Sequence, residues 1–102
     1  MAKEILSART AAGQSLSFGC DGIRPVTIIM YAASGLTASE YGDIQISHDG
    51  GTTWQDMYIE GVQQRLSNVN VATTVYGTGR YRVDKEVTSN AALIAISYDG
   101  NT

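Results

Sequence analysis

Few residues in this sequence have side chains suited to catalysis. The single histidine, His48, stands between Ser47 and Asp49, and the single cysteine, Cys20, lies 28 positions earlier. Ser, His and Asp together suggest acyl transfer, and Cys with His suggests a thiolate nucleophile. Both readings fail on local grounds. Successive residues of an extended chain point to opposite faces, so three neighbours cannot converge on one substrate. One His and one Cys cannot assemble structural zinc, which takes four such ligands. Ten carboxylates could supply a pair for glycoside hydrolysis. None lies in a context that suggests a raised pKa, and several lie in turns. Gly77-Thr78-Gly79 looks like part of a phosphate loop, but no helix follows it and no lysine sits in the motif's place, so it reads as a hairpin turn. No catalytic residue, metal site or cofactor is expected, and the chain is read as a non-enzyme.

The most specific pattern is Ser47-His48-Asp49-Gly50-Gly51-Thr52-Thr53-Trp54. It resembles the Asp-box, Ser-x-Asp-x-Gly-x-Thr-Trp, of sialidases and other β proteins, and Ser47, Asp49, Gly51, Thr53 and Trp54 match it. Asp49 can accept backbone N–H bonds across the turn, Gly51 allows a positive φ, and Trp54 folds back as an apolar plug. The resemblance implies a structural hairpin and not a catalytic centre. Sialidases also need a full propeller, clustered arginines and a tyrosine nucleophile. This chain is too short for that, and Arg9, Arg24, Arg65, Arg80 and Arg82 are scattered.

The elements around this turn read as strands. Gln14 to Gly19 alternates, with Leu16 and Phe18 on one side. Pro25 opens a central strand, Val26 to Tyr31. Alternation marks Asp43–Ser47, Val62–Leu66, Asn68–Val71, Tyr81–Val83 and Leu93–Ser97. Turn residues separate them: Asp21-Gly22, Ser34-Gly35, Asp49-Gly50-Gly51, Gly77-Thr78-Gly79 and Asp99-Gly100. About eight or nine short strands spaced every ~8–12 residues predict an all-β fold, a small antiparallel β-sandwich of jelly-roll or Ig-like type with almost no helix. Thr37 and Glu40 stand at capping-box spacing, so Thr37–Tyr41 is either one helical turn or a loop joining the sheets. Ile44–Gly50 matches Ile94–Gly100 at an offset of 50, near the length of a propeller blade. Strand-to-turn junctions of this composition also recur without repeats.

Length and charge set the outer bounds. The 102 residues, at 10.9 kDa, suit one domain with about 5600 Å² of folded surface. Residues 14–102 form that sandwich, and residues 1–13 are either an N-terminal arm or its first edge strand. In the arm reading, Ile5, Leu6 and Arg9 would bind a partner. Only 17% of residues are charged, and the net charge is −3. No basic stripe is present, which excludes nucleic acid as an expected partner. No apolar run approaches the ~20 residues of a membrane helix. The start, Met1-Ala-Lys-Glu-Ile-Leu, is not a signal peptide. A single cysteine fits folding in a reducing cytoplasm.

Taken together, Arg24–Ile28, the Gly35–Tyr41 link, Asp43–Ser47, the Asp-Gly-Gly-Thr-Thr-Trp turn, Val75–Val83 and Ile94–Ser97 resemble small virion structural proteins of tailed bacteriophages. The resemblance implies a head decoration or cement protein, made in the host cytoplasm and located in the virion. It would bind the major capsid protein or other virion proteins and form a homo-oligomer. The alternative is a lectin-like carbohydrate-binding module of a phage tail, or a small oligomeric propeller with two blades per chain. Six tyrosines and Trp54 give that alternative its aromatic surfaces.

Overall fold

The computed structural model describes residues 3–98. Twelve strand segments run β1 (Lys3–Arg9), β2 (Gly13–Gln14), β3 (Phe18–Cys20), β4 (Val26–Ala32), β5 (Gly42–Ser47), β6 (Gln55–Asp56), β7 (Tyr58–Ile59), β8 (Val62–Gln63), β9 (Arg65–Leu66), β10 (Ala72–Val75), β11 (Gly79–Lys85) and β12 (Ala92–Tyr98). All pairings are antiparallel, and no helix occurs among the described residues.

One sheet has the order β1-β12-β4-β10. The other is built on β11 and β5, flanked by β2 and β3 on one side and by β6 and β9 on the other. β2 with β3, and β6 with β9, are each one interrupted strand, so the segments reduce to two four-stranded sheets. The chain crosses from sheet to sheet at nearly every connection. This strand order is that of a jelly roll, one of the two sandwich types that the spacing predicted. Each sheet draws strands from both halves of the chain, which excludes two sequential blades. The halves of the repeat part accordingly: Ile44–Ser47 lie in β5, and Ile94–Ser97 lie in the opposite sheet. Asp99-Gly100 lies outside the described residues.

Period-two alternation builds the core. Val26, Ile28 and Met30 of β4, with Ile94 and Ile96 of β12, face Ile44, Tyr81, Val83, Leu66, Phe18 and Cys20 across the sandwich. Ile5 and Leu6 belong to the same core. Of the two readings of residues 1–13, the structure therefore has the edge strand: β1 pairs with β12, and its apolar residues are turned inward rather than offered to a partner.

Three strand expectations need correction. Gln14–Gly19 is broken at Ser15–Ser17, because Ser15 takes the inward place: its amide donates to Val83 O and its Oγ accepts from Val83 N–H, both at 2.9 Å. Leu16 is left exposed instead of sharing the buried side of Phe18. Asn68–Val71 is a turn, closed by mutual backbone bonds of Ser67 and Asn70. Val62–Leu66 is split, because the hairpin of β7 and β8 is inserted into the middle of an edge strand.

Thr37–Tyr41 is the loop that carries the chain from β4 to β5. Half of the capping box survives without a helix: Glu40 Oε1 accepts the Thr37 N–H at 2.8 Å, while Oε2 accepts the Ser89 N–H at 2.6 Å. Glu40 thus ties two loops together. Ser39 takes a φ of 68°, which cannot continue a right-handed helix.

Candidate functional site

The Ser47–Trp54 turn follows β5 and is organised by two side chains. Asp49 Oδ1 accepts the N–H of Thr53 at 2.8 Å, the N–H of Thr52 at 3.1 Å and the Ser47 hydroxyl at 2.7 Å. Ser47 Oγ in turn accepts the N–H of Gly51 at 2.8 Å. The Thr53 amide, then the Ser47 hydroxyl, holds the Asp49 carboxyl well below the usual carboxylate range. Gly50 and Gly51 take φ of +78° and +104°, values that glycine adopts without strain. His48, in the remaining slot, is exposed.

Trp54 does not plug the hairpin root as expected. It is half-buried, and its Nε1–H bonds Gly51 O at 3.1 Å. The Arg82 guanidinium lies over its ring, 4.5 Å from the centroid. Arg82 is fixed there by Gln45 Oε1 at 2.7 Å and Gln14 Oε1 at 3.2 Å, on strands flanking β11. Nearby, Arg65 pairs with Asp43 at 2.9 Å and lies 4.1 Å from the Tyr41 ring centroid. The outer face of this sheet is thus a mosaic of cations over aromatic rings. Each of these two rings carries a guanidinium over one face.

The same face holds Asp84, opposite Asp43 across the ladder. Burial, then the Asp43 charge, raises its pKa, so one carboxylate does sit in the kind of context that the sequence did not suggest. Among the described residues no three His, Cys, Asp or Glu side chains are grouped to hold a metal ion.

Other candidates are dispersed. Cys20 is buried, its Sγ near the carbonyls of Arg24 and Val75, whereas His48 is exposed on a turn. Ile5 and Leu6 are core residues. Arg9 is exposed and bonds within its own strand, to Ser7 O and Ser7 Oγ. Among the tyrosines, Tyr81 is core and its hydroxyl bonds Gly77 O at 2.6 Å, closing the Gly77–Gly79 turn. Tyr58 and Tyr76 are exposed.

Sequence reasoning missed Lys85. It is 1% exposed, and its ammonium donates to the carbonyls of Ala11 and Glu86 at 3.0 Å and of Thr10 at 3.4 Å. Burial, then Arg9, lowers its pKa. Its work is structural, since its donors are turned to backbone carbonyls that lock residues 10–11 against β11. Searches among protein-family models, curated proteins and solved structures found no match to this chain.

Proposed function

We propose that this chain is a non-enzymatic structural protein of a tailed-phage virion, a head decoration protein that binds and stabilises the capsid shell. The reading takes its class from the sequence resemblance and its support from one structural observation. The hairpin of β7 and β8 leaves the middle of an edge strand and carries Tyr58, Ile59 and Val62 exposed at 59%, 47% and 62%. Its tip, Glu60-Gly61, turns with φ of 51° and 81°. Positive φ at both central residues is the signature of a tight hairpin turn, so the hairpin is a defined element. Three large apolar side chains raised off a sheet are a feature of contact surfaces. Several potentially reactive groups, by contrast, are engaged within the fold: Asp49 and Ser47 in their turn, Glu40 between loops, Lys85 on carbonyls.

A subunit that binds only the assembled shell stabilises that shell by mass action. The test is co-sedimentation of the purified protein with undecorated shells of the phage that encodes it. The wild type is expected to pellet with shells. The triple variant Tyr58→Ser, Ile59→Ser, Val62→Ser is expected to remain folded and stay in the supernatant. A wild-type protein that stays in the supernatant overturns the reading. A triple variant that binds as well as the wild type removes the hairpin from it.

A further inference from the structure

The four sheet edges are not equivalent. An open edge strand presents unpaired N–H and C=O groups, and proteins ordinarily blunt it with charge, bulges or interruption. At β1 the edge carries Lys3, Glu4 and Arg9 and two register shifts. The β2/β3 edge is broken at Ser15–Ser17, and the β6/β9 edge is broken by the inserted hairpin. The β10 edge has none of these devices. Ala72–Val75 pairs with β4 in unbroken register, and no charged side chain occurs anywhere from Leu66 to Gly79.

The ladder fixes which groups are free. Met30 N–H donates to Val71 O at 2.9 Å. Alternation in an antiparallel pair then directs the backbone groups of Thr73 and Val75 to β4 as well, and those of Ala72 and Thr74 outward. No other backbone bond engages Ala72 or Thr74 among the described residues. Asn70, the next outward position, is already bonded to Ser67, so the free edge ends there.

We propose that this edge pairs with the β10 edge of a second copy, antiparallel and two-fold symmetric about Thr73, joining two four-stranded sheets into one of eight. Ala72 of each copy then lies opposite Thr74 of the other. These two pairs exchange all the outward backbone groups, and the two Thr73 residues form the non-hydrogen-bonded pair between them. The two-fold axis sets Thr73 against its own copy and Ala72 against Thr74, and with no charge at any of the three positions no like-charge repulsion opposes the pairing. Past Val75 the second copy's chain turns away from the ladder, because Ser67 already holds the place opposite Asn70, and its Tyr76 leaves the pairing at that point. There it lies beside a groove of about 310 Å³ lined by Ile29, Tyr31, Leu36 and Val71, among others. Tyr76 is 67% exposed in the single chain, and this groove is the apolar seat available to it.

The test uses the purified full-length protein without shells, so its outcome does not depend on the decoration reading. Sedimentation velocity is expected to show a dimer at tens of micromolar. The double variant Ala72→Lys, Thr74→Lys is expected to be a monomer with an unchanged circular-dichroism spectrum. Mixing it with the double variant Ala72→Glu, Thr74→Glu is expected to restore a dimer. The pairing also predicts a symmetric disulfide in Thr73→Cys. Non-hydrogen-bonded pairs have Cα atoms about 4.5 Å apart, within disulfide range, and native Cys20 is buried. Thr73→Cys is expected to cross-link at least tenfold faster than Val69→Cys, which lies beyond the paired stretch. A monomeric wild type overturns the proposal. So does a dimer in which Thr73→Cys links no faster than Val69→Cys.

Discussion

Removing residues 1–12 separates two views of the N-terminal segment. A docking arm could be cut away and leave the domain intact. The structure says otherwise, because the cut removes β1 from its ladder with β12 and takes Ile5 and Leu6 out of the core. Truncating a buried Leu or Ile to Ala costs about 2–5 kcal/mol each. The cut also removes Thr10 and Ala11, two of the three residues whose carbonyls hold the Lys85 ammonium. Domains of this size are stable by about 5–15 kcal/mol in total, so the truncated chain is expected not to fold. The assay is urea unfolding followed by Trp54 fluorescence, with a thermal melt by circular dichroism. Leu6→Ala provides the graded control: a loss of about 2–5 kcal/mol, with the melting temperature falling about 4–8 °C per kcal/mol. A truncated protein that melts cooperatively within a few degrees of the full chain would refute the reasoning and restore the arm.

Asp49→Ala deprives the Thr52 and Thr53 amides and the Ser47 hydroxyl of their acceptor. The melting temperature at pH 7 is expected to fall by several degrees with a changed Trp54 emission, and an unchanged melt would show the turn to be dispensable. Glu40 has its carboxyl lowered to about 2 by the Thr37 amide and then the Ser89 amide, from an ordinary 4.5. Its stabilisation is therefore full above the ordinary value and lost as pH falls towards the lowered one, and Glu40→Gln is expected to flatten the stability–pH curve over that window. Asp84 has the opposite sign. Burial raises its pKa, so ionising it costs the fold, and stability falls as pH rises through the carboxylate range. Asp84→Asn is expected to raise the melting temperature at pH 7 and to lose that advantage below pH 3.8, the ordinary value.

These residues also show where the sequence could be read and where it could not. The alternation of Val26, Ile28 and Met30, and of Ile94 and Ile96, marked central strands, because a strand packed on one face must repeat every two residues. The Ser47–Trp54 turn was equally legible, since all its organising bonds lie within four residues of their partners. Relations between distant segments were not. Glu40 and Ser89 are 49 positions apart, and Arg82 reaches Trp54 from a neighbouring strand, so no local pattern announced either contact. Ser15 shows how a tertiary bond can override pattern: its hydroxyl and amide fit the Val83 backbone, and the apolar Leu16 is turned out as a result.

Lys85 is the instructive miss, because its signal was present. Tyr81, Val83 and Lys85 fall on one side of β11, by the same period that buries the first two. A lysine at the third inward position has two outcomes: it snorkels out at the strand end, or it finds acceptors inside. Here the segment after β1 passes directly over that strand end. The carbonyls of Thr10 and Ala11 converge on the ammonium, while the Thr88 amide bonds Thr10 O. Those carbonyls belong to a stretch with no strand pairing of its own, so the lysine satisfies them while they solvate it. In β11 the inward lysine therefore marks the place where an irregular segment crosses the strand end.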